Sequence, residues 1–245
     1  MQAQSVGSAL PAGFELDARG YRIDRVLGQG GFAFTYLAHD TALQRPVAVK
    51  ELFPDGCVRD VATLNVLPQR LSLADFQQIR QRFLEEAQLL ASLSHPNIVR
   101  VFHVFEEHNT AYIVMEYLKG HTLIEWLRVK GGYLPAAEAI ECVLQICDAL
   151  EAVHQRGYLH RDIKPSNIIR TDDGRMVLID FGTARQFAAG KTQMHTVILT
   201  PSYAPLEQYA ASAQYDARTD LYALGATLYH LTTGMPPLPA TDRAQ

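Results

Sequence analysis

An α+β fold is the architecture this sequence predicts, with short strands crowding the first 115 residues and helices the remainder. Three observations lead there. Residues 21–27, 34–38, 46–50, 100–106 and 111–115 read as strands, with much of their apolar content at a spacing of two. Residues 72–93, 135–156 and 220–234 instead repeat apolar positions at helical spacing, with Ser72, Pro135 and Asp220 as start signals and Gly157 and Gly234 as stops. Third, His160-Arg161-Asp162-Ile163-Lys164-Pro165-Ser166-Asn167 leads into two short apolar runs, 168–170 and 175–179. Thr171-Asp172-Asp173-Gly174 joins them as a hairpin, and Asp180-Phe181-Gly182 follows. If Arg170 pairs with Arg175, Asn167 stands opposite Leu178 with Asp180 just beyond, and an amide and a carboxylate converge. Two such oxygen ligands suit a hard divalent cation that keeps its other sites for water and phosphate.

With 245 residues, 48% of them apolar, the chain can bury a sizeable core as one large domain or two lobes. A net charge of −4 argues against nucleic acid as the main partner, since phosphate binding needs a basic footprint. Cys57, Cys142 and Cys147 lack metal-ligand spacing and read as reduced thiols, which makes a cytoplasmic location the expectation. Residues 1–13 show neither a basic start nor an apolar run, so no signal peptide is expected. No apolar stretch is long enough to span a bilayer, although a parent protein anchored beyond residue 245 stays open.

The ordered set His160-Arg161-Asp162, Asn167 and Asp180-Phe181-Gly182 resembles the protein kinase superfamily, and looks most like its bacterial serine/threonine branch. A plain polar loop is the alternative. The resemblance implies a bilobal kinase-like fold: a small antiparallel sheet with one long helix over residues 20–115, a hinge at 116–118, and a mainly helical part from 119.

Residues 1–19, rich in Ala, Gly and Ser, are expected to be a flexible leader. After the first strand comes Gly28-Gln29-Gly30-Gly31-Phe32-Ala33. Such a turn admits phosphate because missing side chains leave room and positive φ is allowed. A dinucleotide fold would continue into a helix, whereas Phe34 and Tyr36 continue as a strand, like a kinase glycine-rich hairpin. Ala33 stands where the family's third glycine falls and Thr35 where it usually has Val. The next strand puts Ala48 and Lys50 on one face; by resemblance Ala48 faces adenine and Lys50 reaches the α- and β-phosphates.

Residues 53–71 depart from the simplest kinase layout, with Pro54, Asp55-Gly56 and Pro68 breaking any long element. Ser72-Leu73-Ala74-Asp75 resembles a capping box for the helix that follows. Glu86, directly before Ala87, is the family's partner for Lys50; Glu85 is the competitor, and solvated helix charges are the bland reading. Met115 would limit a back pocket, and the backbone of Glu116 and Leu118 would meet the adenine edge. By the same resemblance Leu27, Gly28, Gln29, Gly30, Gly31, Phe32, Ala33, Thr35 and Ile169 complete the nucleotide site.

In the second half, Thr122-Leu123-Ile124-Glu125 is a capping box, and Ile140, Val143, Leu144, Cys147, Leu150 and Val153 form an apolar stripe behind Pro135. Pro201-Ser202-Tyr203-Ala204-Pro205-Leu206-Glu207 resembles the end of an activation segment, with Leu206 inside the usual Ala-Pro-Glu pattern. Asp220 opens a helix with Leu221, Leu224, Leu228 and Leu231 on one side, and a Pro-rich tail follows Gly234. The family's later helices, one of which supplies an Arg partner for Glu207, are missing. The expectation is a catalytic domain truncated at its C-terminus.

By resemblance Asp162 accepts the proton of an attacking hydroxyl, Lys164 steadies the γ-phosphate, and Asn167 with Asp180 holds magnesium, manganese being a possible substitute. Lys164 together with Thr200 matches serine/threonine rather than tyrosine kinases. Arg161 and Arg185 are candidates to bind a phosphate on Thr196 or, second, Thr192. The expected activity is transfer of the γ-phosphate of ATP to Ser or Thr of protein substrates, with kinase dimerisation open. The alternative is a pseudokinase, a scaffold that binds ATP or other proteins.

Overall fold

The computed structural model describes residues 8–16, 20–182, 184–186, 193–194, 199–210 and 212–244. Its backbone divides into two compact units, Met1–Ser92 with Arg100–Leu118, and Leu93–Val99 with Lys119–Gln245. The first is built on an antiparallel sheet and the second mainly on helices, the α+β class that the sequence predicts.

In the first unit the chain runs β1 (Glu15–Leu16), β2 (Tyr21–Gln29), β3 (Ala33–Asp40), β4 (Arg45–Leu52), β5 (Cys57–Arg59), β6 (Val66–Pro68), α1 (Leu73–Ser92), β7 (Val101–Glu107) and β8 (Thr110–Glu116). Six strands form one sheet in the order β1-β2-β3-β4-β8-β7. Alternation decides its faces: along β3, Phe34, Tyr36 and Ala38 are buried while Thr35, Leu37 and His39 are only half-buried. The register Tyr36↔Val49 and Val49↔Val114 stacks three buried residues in one row of the main core. Thr35↔Lys50 and Lys50↔Ile113 put Lys50 on the opposite face. His108 and Asn109, at φ 51° and 54°, close β7 onto β8 as a two-residue turn with both central residues left-handed.

Two expectations change here. Residues 8–16 of the supposed leader are packed: Leu10 and Leu16 are buried in the core, and β1 pairs with β2. The 53–71 excursion carries its own hairpin, β5 against β6, with Cys57 and Val66 buried. Ser72 caps α1 by accepting the Asp75 N–H at 3.0 Å, but Asp75 receives the Ser72 hydroxyl rather than its N–H, so the capping box is only half closed.

The second unit contains β9 (Gly120–Thr122), α2 (Leu123–Val129), α3 (Ala136–Gln155), β10 (Tyr158–Leu159), β11 (Ile168–Thr171), β12 (Met176–Leu178), β13 (Arg185–Gln186), β14 (Gln193–Met194), β15 (Ser212–Ala213), α4 (Ala217–Thr233) and α5 (Ala240–Arg243). Thr122 caps α2 with a complete capping box, its Oγ1 accepting from Glu125 and its N–H donating to the Glu125 carboxylate. The β11–β12 register is one residue off the expected one: Ile168 faces Leu178 and Arg170 faces Met176. The cause is a three-residue loop, in which Thr171 pairs with Arg175 and Gly174 takes φ 88°. Asn167 therefore lies opposite Ile179, whose N–H reaches its carbonyl at 3.1 Å, one step from Asp180.

The α3 stripe is also rotated. Ala139, Cys142, Ile146, Ala149, Leu150 and Val153 are buried, whereas Ile140 and Leu144 are 48% and 58% exposed. α3 packs against α4, β10 and β12, and the arc it buries mixes small residues with Ile146, Leu150 and Val153. Asp216, not Asp220, caps α4; Asp220 is buried inside its first turn, and Leu221 is exposed. The Pro-rich tail carries the short helix α5. No helix among the described residues is long and apolar enough to cross a membrane.

Candidate active site

In the first unit, Lys50 Nζ donates to Glu86 Oε1 at 2.8 Å, and both side chains are largely buried. Glu85 is exposed and takes the Gln81 amide instead. β4 and α1 thus bring together two residues 36 apart in sequence. Ala48 pairs with Leu37 on one side and Met115 on the other, sharing the Lys50 face. The glycine-rich turn bridges β2 and β3, closed by the Gly30 N–H on the Ala33 carbonyl at 2.9 Å. Gly28, Gly30 and Gly31 all keep negative or extended φ, so positive φ is not what these glycines provide. A Cβ at Gly28 would meet nothing within 4 Å, one at Gly31 would come 3.2 Å from Asp55 Oδ2, and Leu27, Gln29 and Phe32 are exposed beside them. The Glu116 N–H is already used by Arg100 at 2.9 Å, and Leu118 ends the unit.

The second unit gathers Asp162, Lys164, Asn167 and Thr200. Thr200 donates its hydroxyl to Asp162 Oδ1 at 2.7 Å and accepts from Lys164 Nζ at 2.9 Å. Lys164 also reaches Asp162 Oδ2 at 2.7 Å. The Asn167 amide nitrogen donates to both the Asp162 carbonyl and Oδ2 at 2.9 Å. That leaves the Asn167 oxygen as its acceptor group. Asp180 Oδ1 accepts the Gly182 N–H at 3.1 Å, and Phe181 is fully buried edge-on to His160, 4.6 Å between centroids. Two hard oxygens, from Asn167 and Asp180, fit a magnesium-like ion by donor chemistry. Ile169 sits in β11, paired with Thr122 and Val177.

A sequence profile of the protein kinase domain matches residues 21–245. The chain belongs to the protein kinase family. It is 42% identical over 224 residues to a probable serine/threonine-protein kinase of Streptomyces coelicolor, covering 89% of this chain and 30% of that protein. Similarity to the serine/threonine-protein kinase PknB of Mycobacterium leprae is 40% over 223 residues, 89% of this chain and 33% of the other. The kinase chain thus spans about a third of these relatives. Among solved structures, "PpkA-294 apo form" superposes with a TM-score of 0.82 at 31% identity, covering 97% of this chain and 83% of the other.

The kinase loop before Asp162 is held by groups that the sequence reading did not select. Asp220, with 0% exposure, accepts the N–H of His160 at 2.9 Å, the N–H of Arg161 at 2.7 Å, and lies 2.8 Å from His154 Nε2. Gln208 donates its amide to the Arg161 carbonyl at 3.0 Å. Together they fix Arg161 at φ 68°, a strained value for a residue with a side chain. The sequence marks Asp220 only as the opening of a helix; its burial in the first turn of α4 is what turns it toward the loop.

Arg161 lays its guanidinium 4.8 Å from the Tyr215 ring, and burial holds it below its ordinary pKa. Arg185 has its backbone in β13, while Thr192 and Thr196 lie outside the described residues. Glu207 receives the Thr219 hydroxyl at 2.9 Å. Cys142 is buried, which pushes its thiol up to about 11, so it is no nucleophile at neutral pH.

Proposed function

We propose that this kinase domain transfers the γ-phosphate of ATP to Ser or Thr hydroxyls of proteins. The observation that carries this reading is the closed trio of Asp162, Lys164 and Thr200, with contacts of 2.7, 2.9 and 2.7 Å. An ionised carboxylate oxygen accepts about two hydrogen bonds. Oδ1 takes the Thr200 hydroxyl, and its second lone pair is where a substrate hydroxyl would dock and give up its proton. Lys164 would neutralise charge on the transferring phosphoryl, and Lys50, oriented by Glu86, would hold the α- and β-phosphates. Gly28, Gly30 and Gly31 would bring backbone N–H groups to the phosphates, with Ala48 and Met115 against adenine.

Asn167 and Asp180 would hold the divalent ion, with magnesium as the natural choice for two hard oxygen ligands. That ion, when bound, neutralises phosphate charge. In the same reading, Arg161 leaves Tyr215 and joins Arg185 on a phosphorylated Thr196 or Thr192. Transfer of labelled phosphate from ATP to a generic basic protein tests the activity. Asp162→Asn is expected to lower turnover by about 10²- to 10⁴-fold, the range for a lost general base. Near-normal transfer by that variant would refute the assignment.

A further inference from the structure

Residues 53–70 take no direct part in the chemistry above, yet they grip both parts that the first unit contributes to it. β4 is two-sided: Lys50 faces Glu86, and the next residue, Glu51, points to the opposite face. Glu51 has no exposed surface. Its Oε2 accepts from Arg59 and from the Tyr36 hydroxyl, each at 2.7 Å, and its Oε1 from the Tyr112 hydroxyl at 2.8 Å. Burial pushes the Arg59 guanidinium down, but the Glu51 charge and hydrogen bond more than offset this, so Arg59 stays charged.

Arg59 has further donors, and each ends on a different segment. Its Nε reaches the Ser8 carbonyl at 2.7 Å and its Nη1 the Leu64 carbonyl at 3.0 Å. Beside Ser8, the Leu10 N–H donates to the Tyr36 hydroxyl at 3.1 Å. At the other end of the hairpin, the Phe53 N–H donates to Phe32 and the Asp55 N–H to Gly31, both at 2.8 Å. Those acceptors are carbonyls of the glycine-rich turn. On the far side, the Val66 N–H reaches His108 at 2.8 Å and Asn109 returns an amide to the Val66 carbonyl at 2.8 Å. A purely apolar cover would also bury this face of the sheet, and a buried ion pair is an expensive substitute. What the ionic version adds is direction, because a guanidinium fork accepts only one arrangement of its partners.

We propose that the 53–70 hairpin is a brace that presets the phosphate-holding parts of this kinase, with Arg59 as a positioning residue acting through Glu51 on the Lys50 strand and the Asp55 N–H tethering the glycine-rich turn. The inference rests on the reading that Lys50 and that turn hold the phosphates of ATP. Preordering them lowers the cost of ordering at binding, so the brace acts on nucleotide affinity more than on the transfer step.

The turn Pro54-Asp55-Gly56-Cys57 offers a selective cut. Its Cys57 N–H closes on the Pro54 carbonyl at 3.0 Å, and Gly56 takes φ 88°, so Asp55 is the first central residue of a type II turn, a place that welcomes proline. Asp55→Pro removes the N–H to Gly31 and leaves the turn intact; Asp55→Ala keeps that N–H and removes only the exposed carboxylate. The intact protein is assayed for steady-state kinetics with ATP and magnesium, for titration with a fluorescent ADP, and for thermal melting. Asp55→Pro is expected to raise the KM for ATP and the Kd for ADP together by about 3- to 10-fold, the equivalent of one lost backbone hydrogen bond. Its kcat should stay within about twofold, while its melting temperature should fall modestly, because the proline ring replaces a hydrogen-bonded N–H and pushes the Gly31 carbonyl away. Asp55→Ala should bind within about twofold of the unmodified protein, and Arg59→Lys, whose one nitrogen cannot span the separate acceptors met by Nε, Nη1 and Nη2, should shift both constants in the same direction. If Asp55→Pro leaves both constants unchanged, or Arg59→Lys lowers the melting temperature without moving either constant, the brace is overturned. Lys50→Met separates the two ideas. Loss of transfer in that variant beside a silent Asp55→Pro sinks the brace alone, whereas unaltered transfer and binding by Lys50→Met sinks the nucleotide reading and the brace with it.

Discussion

Glu51 in the first unit and Asp220 in the second are both carboxylates with 0% exposure, and the two units satisfy them in opposite ways. Glu51 is answered by side chains from three separated segments: Tyr36, Arg59 and Tyr112. Asp220 is answered by the N–H groups of two consecutive residues, His160 and Arg161, with His154 beside them. The first arrangement ties elements to each other and balances charge with charge. The second dictates the path of a single loop, including the left-handed turn at Arg161 just before Asp162. A buried carboxylate can therefore serve as a rivet between elements or as a mould for backbone, and its partners show which.

That distinction can be broken by experiment, and the rivet should give the largest effect. Glu51→Ala leaves the Arg59 charge buried and unpaired, for which a loss of about 3–5 kcal/mol is expected in urea denaturation. The double variant Glu51→Leu with Arg59→Met should recover at least half of that loss, because an apolar pair of similar volume substitutes well for a buried ion pair. Failure of the double variant to recover would mean that the pair holds more than charge balance. Asp220→Asn probes the mould. One oxygen remains for a backbone N–H while an amide group now faces a donor, an expected loss of about 1–3 kcal/mol. Phosphate transfer by the still-folded protein should fall by about 10²-fold if Asp162 is displaced by about 1 Å. A loss of stability with the transfer rate of the folded protein unchanged would make Asp220 an ordinary core residue.

What could be read from the sequence was mostly local or carried by ordered motifs. Thr122 and Glu125 close a capping box because the three-residue spacing alone brings them together. Lys50 and Glu86 were paired through the family pattern, and their atoms stand 2.8 Å apart. The α3 stripe differs because two adjacent arcs of that helix carry apolar residues, and only its packing against α4, β10 and β12 decides that Ala139 and Cys142 are buried while Ile140 and Leu144 are exposed. The hairpin register slipped because Gly174 belongs to a three-residue loop, a difference that shifts every later pair by one. Glu51 gave no sign at all. Its partners lie 8, 15 and 61 residues away, and alternation along β4 said only that it faced away from Lys50.

A smaller effect separates His230 from both carboxylates, since here a buried titratable group is kept neutral. His230 Nδ1 lies 2.5 Å from the Tyr203 hydroxyl, and both residues are buried. Burial pushes the imidazole below its usual value and the Tyr203 phenol up to about 12, so at neutral pH the phenol is hydrogen-bonded to an uncharged ring. In the unfolded chain the imidazole titrates near its ordinary value of about 6.5. The folded value is the lower one, so as pH falls the unfolded state takes up the proton first. The stability contributed by the neutral ring is thus fully present above about pH 6.5 and is lost as pH falls from there toward the folded value. His160, also lowered by burial, adds a loss of the same sign. Urea midpoints measured between pH 8 and pH 5 should therefore decline with acidity. His230→Asn, which keeps an acceptor near Nδ1 but cannot titrate, should show a shallower decline, and an unchanged slope would place the acid sensitivity entirely in other groups.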